Sequence, residues 1–342
     1  MAERANYTEL LSAAPSQEGI VGAKMMHLSY LRGLDLPVPD GFTVTVDAFR
    51  DFITLPQIAA AISELAVQSS LNAAEHAAAH VRKCIADTKL PPAMASQIAS
   101  AHEALCRTAG KAQVATAVRS SAIGEDSASN SFAGQYESYL GVVGLDDLCK
   151  HIKFVWASMF NNRAVRYRQE NGIDARTTPM AVGVLELVDA DCAGVAFSLD
   201  PVTGKRDRIM IEASWGLGEA VVGGEANPDL LYVDKQENRV MTYSIGRKSR
   251  QLSFEPNLRK SEWNDVPTSR IEAPCLNEAQ AREITRITAH LEDITGHPVD
   301  VEWVKSKTDG VQERVLLVQY RPISAAKSPP PKPVWKRSLS LD

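Results

Sequence analysis

Lys24, Arg119, Asp300, Glu302, Gln319 and Arg321 are the residues of this 342-residue chain whose types and settings suggest chemistry. Asp300 and Glu302 stand in Val299-Asp300-Val301-Glu302-Trp303, and Gln319 and Arg321 in Val315-Leu316-Leu317-Val318-Gln319-Tyr320-Arg321-Pro322. Both runs are strand-like and flank a turn around Asp309-Gly310, so together they read as a hairpin. Period-2 alternation puts Asp300 and Glu302 on one face of the first strand, and Leu317, Gln319 and Arg321 on one face of the second. With the turn centred on Asp309-Gly310, Glu302 pairs with Leu317 and Gln319 lies diagonal to it. Two carboxylates, an amide oxygen and an arginine then converge. Such oxygens suit Mg²⁺ carried in with nucleotide phosphates, and the arginine suits a phosphoryl group. The alternative is a surface ion-pair ladder, the ordinary reading of a single Glu–Arg pair.

Arg119 ends an apolar run, Val114 to Val118. Small hydroxyl residues follow it, then Ser131-Phe132-Ala133-Gly134-Gln135, then a return to alternating residues ending Tyr136-Glu137-Ser138-Tyr139-Leu140. Small residues beside a glycine let backbone N–H groups approach an anion, and one arginine adds a fixed charge. On composition alone the plain reading, a Ser-rich hairpin loop, is favoured. Lys24 follows Gly19-Ile20-Val21-Gly22-Ala23 and opens a short helix, which the Leu36-Pro37-Val38-Pro39-Asp40-Gly41 turn closes before a strand from Phe42 to Val46. A lone lysine in such a place is usually a solvated surface charge.

These residues need elements to hold them. Residues 55–110 are Ala-rich and helical, with a new helix opening at Pro91-Pro92, and read as scaffold. His76 and His80 would share one helical face there, but no neighbouring carboxylate or cysteine pattern supports a metal. Leu148, Ile152, Val155 and Met159 recur at helical spacing. Arg163, Arg166 and Arg168 beyond them read as the cation-rich end of a helix, or else as a basic rim to a site. From 180 the pattern turns to β, with Met180–Val188 and Ala193–Leu199 flanking Asp189-Ala190-Asp191 as a hairpin signal, then a strand from Asp207 to Ala213 and another from Leu230 to Val233. Asn277 and Gln280 form a capping box; Ile284, Ile287, Leu291 and Ile294 make the apolar stripe; Gly296 and Pro298 end that helix. Pro329-Pro330-Pro331-Lys332-Pro333, followed by Trp335, reads as a linker, a docking arm or a frayed end.

The chain is long enough to bury a large core and hold two or more subdomains. Its 44% hydrophobic and 23% charged residues place it among globular proteins, and its formal charge of -5 gives no electrostatic reason to expect nucleic acid or a membrane surface. Without a signal-like start or a bilayer-length apolar run, and with five scattered cysteines, it reads as a soluble cytoplasmic protein with reduced thiols.

Five blocks, in order along the chain, resemble the nucleotide domain of the phosphoenolpyruvate synthase and pyruvate phosphate dikinase family. They are Val21-Gly22-Ala23-Lys24, the 118–140 stretch, Gly194-Val195-Ala196-Phe197-Ser198-Leu199-Asp200-Pro201, Gly216-Leu217-Gly218-Glu219 with Asn227-Pro228-Asp229, and the Asp-x-Glu-Trp and Gln-x-Arg-Pro pair at 300–303 and 319–322. The resemblance runs from about Gly19 to Ser324 and implies an α+β fold of the ATP-grasp type. A helical and mixed α/β N-terminal lobe (1–180, with a helical insertion at about 55–110) would precede an antiparallel β-rich C-terminal lobe (181–324) and a tail (325–342). It implies ATP and Mg²⁺ as ligands, with Lys24, Arg119 and Arg321 as the catalytic cations. Lys24 and Arg119 would bind phosphates, and the backbone of Ser131, Phe132, Ala133, Gly134 and Gln135 would cradle the terminal ones. Glu186 and Val188 would meet the adenine edge, Glu302 and Gln319 would hold Mg²⁺ with Asp300 nearby, and Arg321 would steady the transferred group. The sequence departs from the family at Ala23, where glycine is common, and at Leu185, where many members have Gln.

Longer family members continue into a phosphoryl-accepting histidine domain and a substrate domain. The seven histidines here (27, 76, 80, 102, 151, 290, 297) sit in other contexts. With its start methionine and Pro-rich tail, the chain is expected to be the nucleotide subunit of a split enzyme, similar to the phenylphosphate or alkylphenyl phosphate synthases. A separate subunit would then carry the phosphohistidine and substrate domains. A fragment of a pyruvate/water dikinase, a rifampicin phosphotransferase-like enzyme and a non-catalytic nucleotide sensor are the alternatives.

Overall fold

Continuous apolar runs, rather than alternation, mark the strands at the centre of each sheet, because such strands are covered on both faces. The computed structural model describes residues 6–12, 14, 16–125, 136–171, 178–224, 227–255, 258, 260–307 and 314–323. The Ser131–Gln135 cradle, the Asp309-Gly310 turn and the 325–342 tail lie outside them.

The first part of the chain runs β1 (Thr8–Leu10), α1 (Glu18–Gly33), β2 (Gly41–Val44), α2 (Val46–Ile53), α3 (Pro56–Ala66), α4 (Leu71–Asp87), α5 (Pro92–Thr108), β3 (Ala115–Ala122), β4 (Ser138–Val143), α6 (Leu145–Ser158), α7 (Asn162–Asn171) and β5 (Met180–Glu186). Its five strands form an antiparallel sheet in the order β1-β2-β5-β3-β4. The helices after β2 bury one face of it, around Phe49, Phe52, Ile58, Met94 and Trp156. Phe52 and Phe49 tilt against Trp156 at 5.1 and 6.0 Å between ring centroids. Each such side chain contributes roughly 1.5–3 kcal/mol on burial. Residues 55–110 are helical as read, with Pro92 at the first turn of α5.

The second part runs β6 (Ala190–Phe197), β7 (Arg208–Trp215), α8 (Glu219–Val222), β8 (Asp229–Asp234), β9 (Val240–Ser244), β10 (Arg250–Glu255), β11 (Lys260–Asp265), α9 (Glu278–Thr295), β12 (Val299–Ser306) and β13 (Val315–Pro322). A six-stranded antiparallel sheet has the order β13-β12-β6-β7-β8-β9, and β10-β11 is a separate hairpin. α9 packs on the six-stranded sheet and is capped as expected: Asn277 and Gln280 bond reciprocally and Gly296 is left-handed at φ 72°. Its buried face is Ala281, Ile284, Thr285, Thr288 and Leu291, whereas Ile294 of the expected stripe is 41% exposed. Thr285 and Thr288 join the buried face because their hydroxyls donate to the carbonyls of Ala281 and Ile284.

The hairpin expected between 180 and 199 does not form. β5 pairs with β2 and β3 in the first sheet, and β6 with β12 and β7 in the second. Both are buried almost throughout, so each takes two flanking partners rather than one another. The chain therefore changes sheet after Glu186. α1 ties the two parts together: Met25 lies under Gly183 of β5, and Leu28 and Leu31 belong to one buried cluster with Ile211, Val301 and Trp303 of the second sheet. His76 and His80 are exposed on α4, bonded to the Asn72 carbonyl and the Glu64 carboxylate. Arg163 and Arg166 pair with Glu137 and Glu75, while buried Arg168 donates to the Met159 carbonyl. The five cysteines are free, and no helix among the described residues is long and apolar enough to cross a membrane.

Candidate active site

Gly22 sets the position of Lys24. The expected short helix opening at the lysine is the second segment of α1, which starts at Glu18 and kinks at Gly22 (φ 72°, ψ 170°). A Cβ there would lie 1.8 Å from the Ser121 carbonyl oxygen, so only glycine fits. Ser121 Oγ donates to the Val21 carbonyl (2.8 Å) and accepts from the Met25 N–H (3.1 Å), stapling both sides of the kink to β3. Lys24 Nζ then reaches Ser120 Oγ (3.4 Å) and Glu125 Oε1 (2.7 Å). Two of the hydroxyl residues after Arg119 thus hold α1 and its lysine. Glu125, 1% exposed, also accepts the Ala122 N–H at 3.1 Å.

Arg119 leaves β3 on the same face as Ser121, opposite the helices after β2, and crosses to the second sheet. It donates to the Val318 carbonyl (2.8 Å), to Glu302 Oε2 (3.1 Å) and to Gln319 Oε1 (2.7 Å). Those acceptors converge because of a β-bulge. Glu302 stands opposite Gln319, Trp303 opposite Leu317, and Val318 is the extra residue. The expected pairing of Glu302 with Leu317 is therefore displaced by two positions, one because the register on the turn side already sets Trp303 opposite Leu317 and one because of the bulge; Leu317 is on the core side with Trp303 and Tyr320. A strict period of two cannot foresee an inserted residue. Asp300 stands opposite Arg321, whose Nε and Nη2 donate to its Oδ2 at 3.1 and 2.5 Å.

Lys24, Arg119, Glu125, Glu302, Gln319 and Arg321 line one cleft between the sheets, enclosing a cavity of about 260 Å³, and Asp300 stands outside its lining. Lys24, Arg119 and Arg321 line one part of it and Leu140, Leu185 and Leu217 supply apolar wall. Glu186 and Val188 line it too, on the segment joining the sheets. The Glu186 N–H donates to the Asp40 carbonyl (2.7 Å), its carboxylate accepts from Lys111 (3.0 Å), and the Leu187 N–H donates to the Ala115 carbonyl (2.8 Å). The 216–219 loop closes another side. Gly216 at φ 78° passes so near Leu252 that a Cβ would meet its carbonyl at 2.2 Å, and the Leu217 N–H donates to that carbonyl. Behind the loop, Arg270 stacks 3.7 Å from the Trp215 ring centroid and bonds Asp191, which also binds Lys305. Burial alone would push the Asp191 carboxyl up, but those two cations hold it below its ordinary value. Burial pushes the hydroxyl of Tyr136, on the cleft wall, up.

A metal would find a small donor set. Glu302 Oε2 and Gln319 Oε1 both reach one nitrogen, Arg119 Nη2, so they aim at a common point, and Asp300 is next along the strand. Hard oxygen donors of this kind fit Mg²⁺ that draws its remaining ligands from phosphates. Among the described residues, no group of three or more His, Cys, Asp or Glu side chains is placed to hold a metal alone. Sequence reasoning missed Glu125, Ser120 and Ser121. Glu125 lies 101 residues from its lysine, with no local pattern to mark it.

Fold and cleft together define an α+β protein whose two antiparallel sheets enclose a cation-lined cavity. The sequence matches the family described as pyruvate phosphate dikinase, AMP/ATP-binding domain, over residues 18–338, and the chain belongs to that family. It is 34% identical over 309 residues to a probable phosphoenolpyruvate synthase of Methanothermobacter thermautotrophicus, covering 90% of this chain and 44% of the relative. It is 33% identical to the phosphoenolpyruvate synthase of Aeropyrum pernix, covering 89% of this chain and 40% of that protein. It is 37% identical to the rifampicin phosphotransferase of Streptomyces sviceus, covering 90% and 35%. The chain spans less than half the length of these relatives.

Proposed function

We propose that this chain is the ATP-binding catalytic unit of a split dikinase-type phosphotransferase, with its two parts acting as the lobes of an ATP-grasp fold. The observation that carries the reading is the meeting of Arg119, Glu302 and Gln319, from both sheets, beside Lys24 and Arg321 in one cleft with an apolar wall. The apolar wall takes the adenine, whose edge meets the backbone of Glu186 and Val188. Lys24 and Arg119 bind phosphates, helped by the backbone of the Ser131–Gln135 segment. Arg321, held by Asp300, steadies the group in transfer. Mg²⁺, held by Glu302 and Gln319 with Asp300 nearby, neutralises phosphate oxygens when bound. Such chemistry is mainly positioning and electrostatics.

In this reading the accepting imidazole lies on a separate subunit that also carries the substrate domain. Its nitrogen attacks the β-phosphorus of ATP and AMP leaves; hydrolysis of the pyrophosphoryl group releases Pi and leaves phosphohistidine. The phosphoryl then passes to an organic hydroxyl, best a phenol or alkylphenol. The 37% identity to a rifampicin phosphotransferase favours a second reading, transfer to an antibiotic hydroxyl.

Phosphorus NMR of ATP and Mg²⁺ with this chain, with and without a candidate histidine subunit, tests the proposal. AMP, Pi and a phosphohistidine signal should appear only with the partner. ADP as product would mean simple γ-phosphoryl transfer, and binding without turnover in either mixture would favour a nucleotide sensor.

A further inference from the structure

Among the described residues three cations face the cleft, each matched to a carboxylate: Lys24 to Glu125 at 2.7 Å, Arg119 to Glu302 at 3.1 Å, and Arg321 to Asp300 at 2.5 Å. Arg119 differs from the other two. Among the described residues its partners all belong to the opposite sheet, and they form a built socket of one carboxylate, one amide oxygen and one backbone carbonyl. The carbonyl is that of Val318, the residue inserted by the bulge, so the same irregularity that sets Glu302 opposite Gln319 also seats the guanidinium. The socket is largely closed to solvent, with Gln319 4% exposed and the Arg119 and Glu302 side chains 19% and 13%.

Glu302 Oε2 and Gln319 Oε1 are the oxygens assigned above to the metal, and Arg119 Nη2 bonds both. We infer that Arg119 is a placeholder cation, keeping the metal's oxygen pair oriented and charge-compensated until a polyphosphate draws the guanidinium away. The inference rests on the proposed metal role of Glu302 and Gln319. A free divalent ion entering first would add its charge beside a guanidinium already bonded to its ligands, in a largely buried place where like charges repel strongly. A polyphosphate offers Arg119 several bidentate acceptors in exchange for the socket. The consequence is an order of binding: anion first, metal with it or after it, and no resident metal without nucleotide. Because the bonds of Arg119 span the cleft, the same exchange trades a protein link between the sheets for one through the ligand.

Mn²⁺ is a suitable probe with the full chain, read as protein-bound metal: the loss of its free-ion electron paramagnetic resonance signal beyond that seen in protein-free mixtures with the same nucleotide or polyphosphate. Wild-type protein without nucleotide should bind Mn²⁺ weakly. Adding the ATP analogue AMP-PNP, with no histidine subunit present, should tighten binding to the protein by at least about tenfold, or 1.4 kcal/mol. Arg119→Met, checked for native circular dichroism, should gain a similar factor without any nucleotide, and the added change Glu302→Gln should remove the gain. Should Arg119→Met not fold, inorganic tripolyphosphate with the wild type is the second measurement, and it should promote Mn²⁺ binding where AMP does not. Wild-type protein that binds Mn²⁺ equally well with and without AMP-PNP overturns the placeholder but leaves the proposed function standing. A folded Arg119→Met that gains nothing does the same. No protein-bound Mn²⁺ in any mixture, AMP-PNP included, overturns the assignment of Glu302 and Gln319 as metal ligands and the placeholder with it.

Discussion

Arg321 puts two donors on one oxygen of Asp300, and this fixes the guanidinium plane at the cleft wall. Arg321→Ala and Glu302→Gln should each abolish turnover of ATP to AMP with the partner present while leaving the thermal transition near that of wild type; near-normal turnover in either variant would remove that residue from the site. The fold should tolerate these changes because the Arg321 side chain is 31% exposed, and the amide that Glu302→Gln introduces keeps an oxygen to accept from Arg119. Gly22→Ala should behave in the opposite way. Its backbone conformation is nearly exclusive to glycine and costs about 1–3 kcal/mol for other residues before any overlap is counted. The overlap with Ser121 then forces α1 from β3 and takes Lys24 out of position. Urea unfolding should show a loss of at least about 2 kcal/mol, together with weaker ATP binding; unchanged stability would contradict the kink as described. At this scale the sequence was informative for residues within short blocks, such as Lys24 beside its glycines and Glu302 beside Asp300. It was silent on Glu125 and Ser121, whose roles come from contacts across about a hundred positions of chain.

Elements were legible where the pattern that makes them is local. The capping box and glycine stop of α9 are side-chain and backbone bonds within a few residues, so they could be read directly. Pairing was not local. β5 and β6 stand next to each other in sequence with a turn signal between them, yet each is the inner strand of a different sheet. The bulge at Val318 escaped for the same reason, since nothing in Leu317-Val318-Gln319 shows which residue is unpaired. Beyond β8, the strands β9 to β11 carry weak alternation and were not foreseen. Buried bonds organise that stretch instead. Asp229 accepts from the Gly246 N–H (2.9 Å), the Cys275 N–H (2.8 Å), the Tyr243 hydroxyl (3.1 Å) and the ammonium of Lys248, whose side chain is fully buried. One carboxylate thus anchors the start of β8, the loop after β9 and the approach to α9. Removing it leaves a buried ammonium without its counter-charge, a change that costs about 3–5 kcal/mol. Asp229→Ala should lose that much in a urea titration, and a loss below about 1 kcal/mol would show that the network is dispensable.

At the scale of the whole molecule, α1 decides how the two parts behave together. Its residues Val21, Met25, Leu28 and Leu31 are buried in one cluster with Leu185 of the first sheet and Val301, Trp303 and Tyr320 of the second. The β10-β11 hairpin adds a second tie, with Phe254 against Gly141 of β4 and Ser261 donating to the Leu140 carbonyl. Neither part can unfold without exposing apolar surface of the other, so calorimetry should give one transition and not two, with calorimetric and van 't Hoff enthalpies equal. A ligand in the cleft touches both sheets and binds only when they are assembled. AMP-PNP with Mg²⁺ at a hundredfold excess over Kd should therefore add about 2.7 kcal/mol and move the single transition up by several degrees, about 2–4 °C per kcal/mol for chains of 150–250 residues and somewhat less for a longer one. Two separate transitions, only one of them shifted by the ligand, would mean that α1 belongs energetically to one part alone and that the cleft is not a shared site.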